Sequence, residues 1–154
     1  MTEAATRTAY WLITGKNLED INVESVRGII GLKKAEVTIN GLTLKVGIAN
    51  GMENAKIILD ELDKDPKAYD YIEIMACPGG CIGGGGNPLP VNDEIRKKRA
   101  AGLYSDDYAK QIRFAHESPA VKEVYDEYFK ADEHKIHEIL HTSYTRKPKS
   151  EIKK

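Results

Sequence analysis

A glycine-rich segment that carries both cysteines, residues 69–90, constrains this chain of 154 residues more than any other feature. The apolar residues 71–75 precede Cys77 and predict a buried strand, which Pro78-Gly79-Gly80 ends. Glycine adopts positive φ readily and lets the backbone approach a ligand closely. The segment therefore predicts a strand end that presents the sulfurs of Cys77 and Cys81 among backbone amides, which suits an anionic iron–sulfur cluster.

Spacing alone leaves several roles open for the two cysteines. They could be inert thiols, a strained local disulfide, or ligands of a metal or cluster. The segment contains neither G-x-x-x-x-G-K-[ST] nor G-x-G-x-x-G, which argues against phosphate- and dinucleotide-binding loops. A zinc site built from two C-x-x-C pairs is excluded for this chain alone, because it has one cysteine pair and the spacing differs.

Residues 73–88 read E-I-M-A-C-P-G-G-C-I-G-G-G-G-N-P and closely resemble the third signature motif of FeFe hydrogenases, E-x-M-x-C-P-G-G-C-x-x-G-G-G-Q-P. Asn87 departs from the motif, where the family usually has glutamine, and this change keeps the amide but shortens the side chain. The resemblance extends to residues 2–10, 40–46 and 134–142, which look like the family's preceding helix, its hairpin and its small-subunit-like tail. The chain thus resembles the C-terminal half of the catalytic domain of FeFe hydrogenase.

The resemblance implies roles for individual residues of the motif. In the family, four cysteines from three motifs hold the H-cluster, a 4Fe-4S cubane joined through one cysteine sulfur to a diiron unit. Carried over by position, Cys77 ligates the cubane, Cys81 ligates it and bridges to the diiron unit, and Met75 packs against the diiron unit. The cofactor-binding loop between the two ligands consists of Pro78, Gly79 and Gly80, with the cysteines at its ends.

The first two signature motifs, T-S-C-C-P-x-W and M-P-C-x-x-K-x-x-E, are absent from the sequence. A cubane normally takes four thiolates, and this chain has two cysteines. We therefore expect a complementary hydrogenase chain or a missing N-terminal half to supply the other ligands, so the chain is either a split subunit or a cut fragment. Glu73 is interpreted as a structural hydrogen-bond partner of the motif loop, with a role as proton acceptor as the alternative.

The implied function is part of a ferredoxin- or NAD(P)-linked iron hydrogenase that interconverts protons plus electrons and dihydrogen. Its implied partners are maturation proteins that install the diiron unit and an electron carrier such as ferredoxin. The alternative is a non-catalytic iron–sulfur or sensory protein that kept the cubane but lost the diiron unit, and a third possibility is an interaction module without metal.

Composition narrows the class of protein further. The formal net charge of −1 at pH 7 gives no argument for nucleic-acid binding. No apolar stretch approaches the roughly 20 residues that span a bilayer, and no signal-peptide pattern is present. Two cysteines without a disulfide framework suit a reducing cytoplasm.

The pattern before the motif predicts a hairpin followed by a parallel crossover. Residues 35–39 and 42–48 alternate with period two around Asn40-Gly41, the strongest hairpin signal because both turn positions need positive φ. A helix over residues 51–64 then leads to strand 71–75, which predicts a parallel strand-helix-strand unit with the motif beyond the carboxyl ends of its strands. We expect an α/β fold with a small mixed or parallel sheet, flanking helices and a helical C-terminal third, in a single domain over residues 1–154.

The helix predictions rest on apolar spacing and on caps. In the helix over residues 51–64, Ala55, Ile58, Leu59 and Leu62 form the predicted buried face. A first helix over residues 2–14 places Ala4, Ala5, Ala9, Leu12 and Ile13 at helical spacing.

The sequence after Pro90 reads as helical. Helices are predicted over residues 94–101, 106–116, 118–129 and 133–140, the first of them capped by Asn92 or Asp93. His134, His137 and His141 share one face of the last helix with metal-like spacing, but we interpret them as packing residues. The basic tail over residues 146–154 is predicted to be frayed.

Overall fold

The computed structural model describes residues 1–20, 23–130, 132–143 and 145. The chain divides into two compact units, Met1–Ala115 and His116–Lys154. The single domain predicted over residues 1–154 stays a prediction, and the basic tail, residues 146–154, lies outside the described residues. None of the described helices combines the length and the apolar character that a bilayer crossing demands.

The first unit contains three helices and three strands, which follow in chain order as α1 (Thr2–Thr14), β1 (Leu32–Ile39), β2 (Leu42–Asn50), α2 (Met52–Leu62), β3 (Tyr71–Met75) and α3 (Asp93–Ala109). Short 3-10 helices lie at Glu24–Val26, Gly80–Ile82 and Ala115–Glu117. The second unit contains α4 (Pro119–Glu123), a π-helical segment (Val124–Phe129) and α5 (Glu133–Leu140). The predicted α/β class with a helical C-terminal third is confirmed.

The sheet is mixed, with strand order β1-β2-β3. β1 and β2 are antiparallel and are joined by Asn40-Gly41, whose φ angles of 49° and 82° are those of the predicted hairpin turn. β2 and β3 are parallel, and their pairing runs from Val46 opposite Tyr71 to Asn50 opposite Met75. Because α2 connects these two strands, the predicted crossover is confirmed.

The core lies where β2 meets α2. Val46, Ile48 and Ala49 of β2 are buried, as are Ala55 and Ile58 of α2. Burial of one aliphatic side chain contributes about 1.5–3 kcal/mol, so these contacts hold α2 on the sheet. The prediction that Leu59 belongs to the buried face is wrong, because its side chain is 49% exposed.

Helix α1 forms over the predicted residues, but its buried side chains are polar, unlike the apolar residues whose spacing predicted the helix. Thr2, Thr6 and Arg7 are buried, whereas Leu12 and Ile13 are 69% and 45% exposed. The buried residues make polar contacts that a pattern of apolar spacing does not detect. Helix α1 is therefore anchored by hydrogen bonds and charge.

A cluster of charged side chains links α1 to α3, and its centre is Asp107. Arg7 donates hydrogen bonds to Asp107 at 3.1 Å and to Glu3 at 2.8 Å, and Arg113 donates to Asp107 at 2.5 Å. Arg27 donates to Glu3 at 2.6 Å. Hydrogen bonds from Arg7 and Arg113 lower the pKa of Asp107 to about 2, despite partial desolvation of the carboxylate.

The predicted break after residue 101 is absent, since α3 is one continuous helix over Asp93–Ala109. Asn92 caps it by accepting a hydrogen bond from the Ile95 backbone N–H at 2.9 Å, as one of the two predicted caps. In the second unit, the predicted helix over residues 118–129 is split into α4 and the π-helical segment. Phe129 is buried there beside the rings of Tyr125 and Tyr128, each 5.3 Å away between centroids.

Removal of the Asp107 charge should destabilise the first unit. Because the folded pKa of Asp107 lies below its ordinary value of 3.8, the carboxylate contributes stability above about pH 4, and this contribution is lost as the pH falls through about 2. We expect Asp107→Asn to lower the free energy of unfolding at pH 7 by about 1–3 kcal/mol and to flatten its decline between pH 4 and 2. Urea unfolding at several pH values measures both effects.

The matched control is Asp106→Asn, since Asp106 is 64% exposed and pairs only with Lys110 among the described residues. An exposed pair of this kind contributes about 0–1 kcal/mol. Equal effects of the two substitutions would contradict the role assigned to Asp107.

Candidate functional site

Both cysteines lie beyond the carboxyl ends of the parallel strands, at the predicted edge of the sheet. β3 ends at Met75, which pairs with Asn50 at the end of β2, and Cys77 follows two residues later. Cys77 and Cys81 are both free and exposed, so they form neither a disulfide nor part of a closed interior. The structure therefore leaves both predicted sulfur ligands exposed, on the turn that follows the sheet edge.

The backbone between the cysteines turns tightly through two left-handed glycines. Gly79 and Gly80 have φ angles of 79° and 64°, which side chains with a Cβ rarely adopt. The Gly80 N–H donates to the Cys77 carbonyl at 2.9 Å, and a short 3-10 helix then carries Cys81. The predicted interruption by Pro78-Gly79-Gly80 is thus an ordered turn that fixes the spacing of the two cysteines.

Close packing explains other glycines of the loop. A Cβ at Gly83 would lie 2.1 Å from the Pro78 carbonyl oxygen, which real structures do not allow. A Cβ at Gly84 would lie 3.2 Å from the Cys77 sulfur. The loop therefore folds back on the segment that carries Cys77, and it leaves no room for a side chain at Gly83 and little room at Gly84.

The side chain of Asn87 makes hydrogen bonds within the cysteine loop. Its side-chain amide donates to the Cys81 carbonyl at 2.8 Å and to the Gly84 carbonyl at 3.0 Å. The shorter side chain therefore still makes loop hydrogen bonds, at the position where the resembling motif has glutamine.

Two arginines of α3 also contact the loop, and neither contact was predicted from the sequence. Arg99 donates to the Ile82 carbonyl at 2.8 Å and to the Pro88 carbonyl at 2.6 Å. Arg96 lies against the glycines, because a Cβ at Gly79 would be 2.7 Å from its Cδ and a Cβ at Gly83 would be 2.9 Å from its Nε. Their spacing of three residues on a predicted helix was the available signal, since such residues share a face.

Glu73 is buried below the loop and contacts α1 rather than the loop itself. Its Oε2 accepts hydrogen bonds from the Thr2 backbone N–H at 2.6 Å and from the Thr2 hydroxyl. The interpretation of Glu73 as a partner of the motif loop is therefore wrong. Glu73 instead fixes the first turn of α1, where a carboxylate also complements the helix dipole.

A cavity of about 230 Å³ lies beneath the cysteine loop and is lined by Cys81, Met75, Glu73, Asn50 and Lys33, among others. Glu73 Oε1 and Asn50 Oδ1 are buried and have no hydrogen-bond partner among the described residues. Burial lowers the pKa of Lys33, and the negative charge of Glu73 partly offsets this effect. Met75 and Cys81, the two residues that the resemblance places at the diiron unit, therefore border the same cavity.

The histidines of α5 do not form a metal site in the part of the chain that the structure describes. The rings of His137 and His141 stack with their centroids 4.5 Å apart, and both side chains are exposed, as is that of His134. Their predicted role as packing residues is therefore wrong. No described residue brings a third metal-ligating side chain to Cys77 and Cys81.

The donor set fits one part of an iron–sulfur site. Thiolates are the usual ligands of such clusters, and two exposed thiols lie on one ordered turn. The loop can thus supply two thiolate ligands, and the remaining ligands would have to come from elsewhere.

Comparisons with known proteins agree with this geometry. Residues 1–85 match the model of the iron only hydrogenase large subunit, C-terminal domain, and residues 93–147 match that of the iron hydrogenase small subunit. The NADP-reducing hydrogenase subunit HndD of Solidesulfovibrio fructosivorans is 43% identical over 147 residues, which are 94% of this chain and 25% of that protein. A probable cytosolic Fe-S cluster assembly factor of Aedes aegypti is 33% identical over 136 residues, 84% of this chain and 28% of that protein.

A solved structure shows that the fold is shared as well. A variant of the FeFe-hydrogenase HydA1 from Chlamydomonas reinhardtii superposes with a TM-score of 0.73 at 36% identity, over 94% of this chain and 44% of that chain. The chain therefore spans about a quarter of the length of these curated relatives and less than half of the solved chain. Because the large-subunit model matches more than half of it, the chain belongs to the iron-only hydrogenase family and corresponds to a C-terminal part of the hydrogenase catalytic domain.

Proposed function

We propose that this chain forms part of the active site of an iron hydrogenase that interconverts two protons and two electrons with dihydrogen. The observation that carries the proposal is the pair of free, exposed cysteines on one ordered turn at the carboxyl edge of the sheet. Cys77 and Cys81 would be the thiolate ligands that this chain provides to the 4Fe-4S part of an H-cluster, and Cys81 would also hold its diiron unit. A complementary hydrogenase polypeptide provides the other ligands.

The protein's own residues bind and shape the cofactor site. Pro78, Gly79 and Gly80 set the turn between the two cysteines, and Met75 would lie against the diiron unit. When bound, the H-cluster supplies the metal centre at which protons and electrons combine. The apolar surface of Met75 would exclude water from that centre, and amide groups of the loop would favour the negative charge of the cluster.

Several partners follow from this proposal. Maturation proteins install the diiron unit, and a ferredoxin or an NAD(P)-linked subunit exchanges electrons with the assembled enzyme in the cytoplasm. The similarity to an NADP-reducing hydrogenase subunit supports the NAD(P)-linked arrangement.

A second candidate is a non-catalytic iron–sulfur protein without the diiron unit, and the similarity to a probable cytosolic Fe-S cluster assembly factor favours it. Both candidates use Cys77 and Cys81 for the cubane. They differ in the diiron unit, whose carbonyl and cyanide groups absorb in the infrared.

Substitution of either cysteine should remove iron from the assembled site. We expect Cys77→Ser and Cys81→Ala each to lower the cluster iron of the complex with a complementary polypeptide carrying the two absent motifs, because a cubane normally takes four thiolates. Iron analysis and the visible absorption of the complex, purified without oxygen, measure the loss. The matched control is His137→Gln, which should retain the iron, and full iron retention by Cys81→Ala would overturn the ligand assignment.

Hydrogen evolution separates the two candidate functions. With maturation proteins present, we expect the same complex to evolve hydrogen from a reduced electron donor and to show infrared bands of metal-bound carbonyl and cyanide. Met75→Ala should lower the rate while cubane absorption remains, because it removes an apolar contact without removing a cubane ligand. A loaded cubane without infrared bands or activity would favour the non-catalytic candidate.

A further inference from the structure

We propose that Arg99 is a positioning residue for the cysteine loop and that α3 acts through it to hold Cys81 in place. This inference rests on the proposed function, since it concerns how the ligand loop is held. Arg99 lies in the segment that matches the iron hydrogenase small subunit, whereas Cys77 and Cys81 lie in the segment that matches the large subunit. The small-subunit-like segment would thus complete the thiolate site without providing a ligand.

The contacts of Arg99 join the two ends of the glycine run. Its Nη1 donates to the Ile82 carbonyl at 2.8 Å and its Nη2 donates to the Pro88 carbonyl at 2.6 Å. The guanidinium presents its donors in a rigid planar fork, so one side chain can bind two carbonyls at a fixed separation. Hydrogen bonds to a charged donor are also stronger than those between neutral groups.

The chain between these two carbonyls needs such a restraint. Residues 83–86 are four consecutive glycines, and glycine loses more conformational freedom on ordering than any other residue. Asn87 anchors the Cys81 carbonyl, and Arg99 anchors the next carbonyl along the chain, that of Ile82. Two adjacent carbonyls are therefore held by separate side chains, which fixes the backbone that carries the Cys81 sulfur.

Arg96 shows that α3 fits closely against this loop. Its side chain lies against Gly79 and Gly83, and a Cβ at either glycine would overlap it. Ala100, on the same side of α3, is buried. Arg99 therefore lies on a helix that is packed against the loop. Its guanidinium is restrained in position, and so are the two carbonyls to which it donates.

The test compares hydrogen exchange of the intact chain without iron in three variants. Arg99→Met removes both hydrogen bonds, Arg99→Lys keeps the charge but loses the fork, and Lys98→Met is the control, since Lys98 is exposed and pairs with Glu94. We expect exchange in peptides that cover residues 82–88 to become about tenfold faster in Arg99→Met, intermediate in Arg99→Lys, and unchanged in Lys98→Met. The amides of Gly83 and Asn87, which donate within the loop, are the reporters.

Circular dichroism establishes whether the variants remain folded. If Arg99→Met does not fold, hydrogen exchange of Arg99→Lys over residues 82–88 tests the inference. Unchanged exchange over residues 82–88 in a folded Arg99 variant would overturn the inference. The result is independent of the proposed hydrogenase function, because this measurement needs no iron.

A second measurement connects the loop to the cluster. In the assembled complex, we expect Arg99→Met to lose cluster iron several times faster than the unaltered complex during dilution into a chelator, with Arg99→Lys partly restoring retention. Equal rates for all variants would show that Arg99 does not position the ligand. An unaltered complex that binds no iron would instead contradict the proposed function and leave the exchange measurement as the test of Arg99.

Discussion

The parallel pairing of β2 with β3 is the constraint on which the rest of the structure depends. Its register ends with Asn50 opposite Met75, so the chain leaves both strands at the same edge of the sheet. From Asn50 it turns through Gly51 into α2, and from Met75 it continues into the cysteine loop. The backbone N–H of Gly51 donates to the Met75 carbonyl at 2.8 Å and ties these two exits together. The position of the cysteine loop is therefore set by the pairing of β2 with β3.

The first unit is held together by two different kinds of contact. Between β2 and α2 the contact is apolar, with Ala49, Ala55 and Ile58 almost fully buried. Between α1, α3 and the segment near Arg27, charged groups dominate, because Arg7 and Asp107 bond across about 100 residues of sequence. Such paired charges tolerate substitution poorly, since removing one partner leaves the other partly buried without compensation. The helices that flank the site are therefore fixed by few but specific contacts.

The sequence predicts local features of the fold well and distant contacts poorly. Asn40-Gly41 determines its hairpin because the positive φ angles are a property of the dipeptide itself. The apolar spacing of α1 predicts its length but not its buried face, since Arg7 and Thr2 are held by Asp107 and Glu73, which lie far along the chain. The spacing of Arg96 and Arg99 indicates a shared helix face, but it does not show what that face contacts. The partners of Arg99 are backbone carbonyls, which every residue has, so no side-chain pattern distinguishes Ile82 and Pro88.

The ordered state of the cysteine loop has a consequence for assembly. The loop hydrogen bonds of Gly80, Asn87 and Arg99 all exist within the polypeptide and involve no metal. A bound metal centre would therefore contact a loop whose backbone is already ordered. The conformational entropy that the loop loses on ordering would then be lost during folding. In the proposed site, affinity for the cluster would then not be reduced by the cost of arranging this loop.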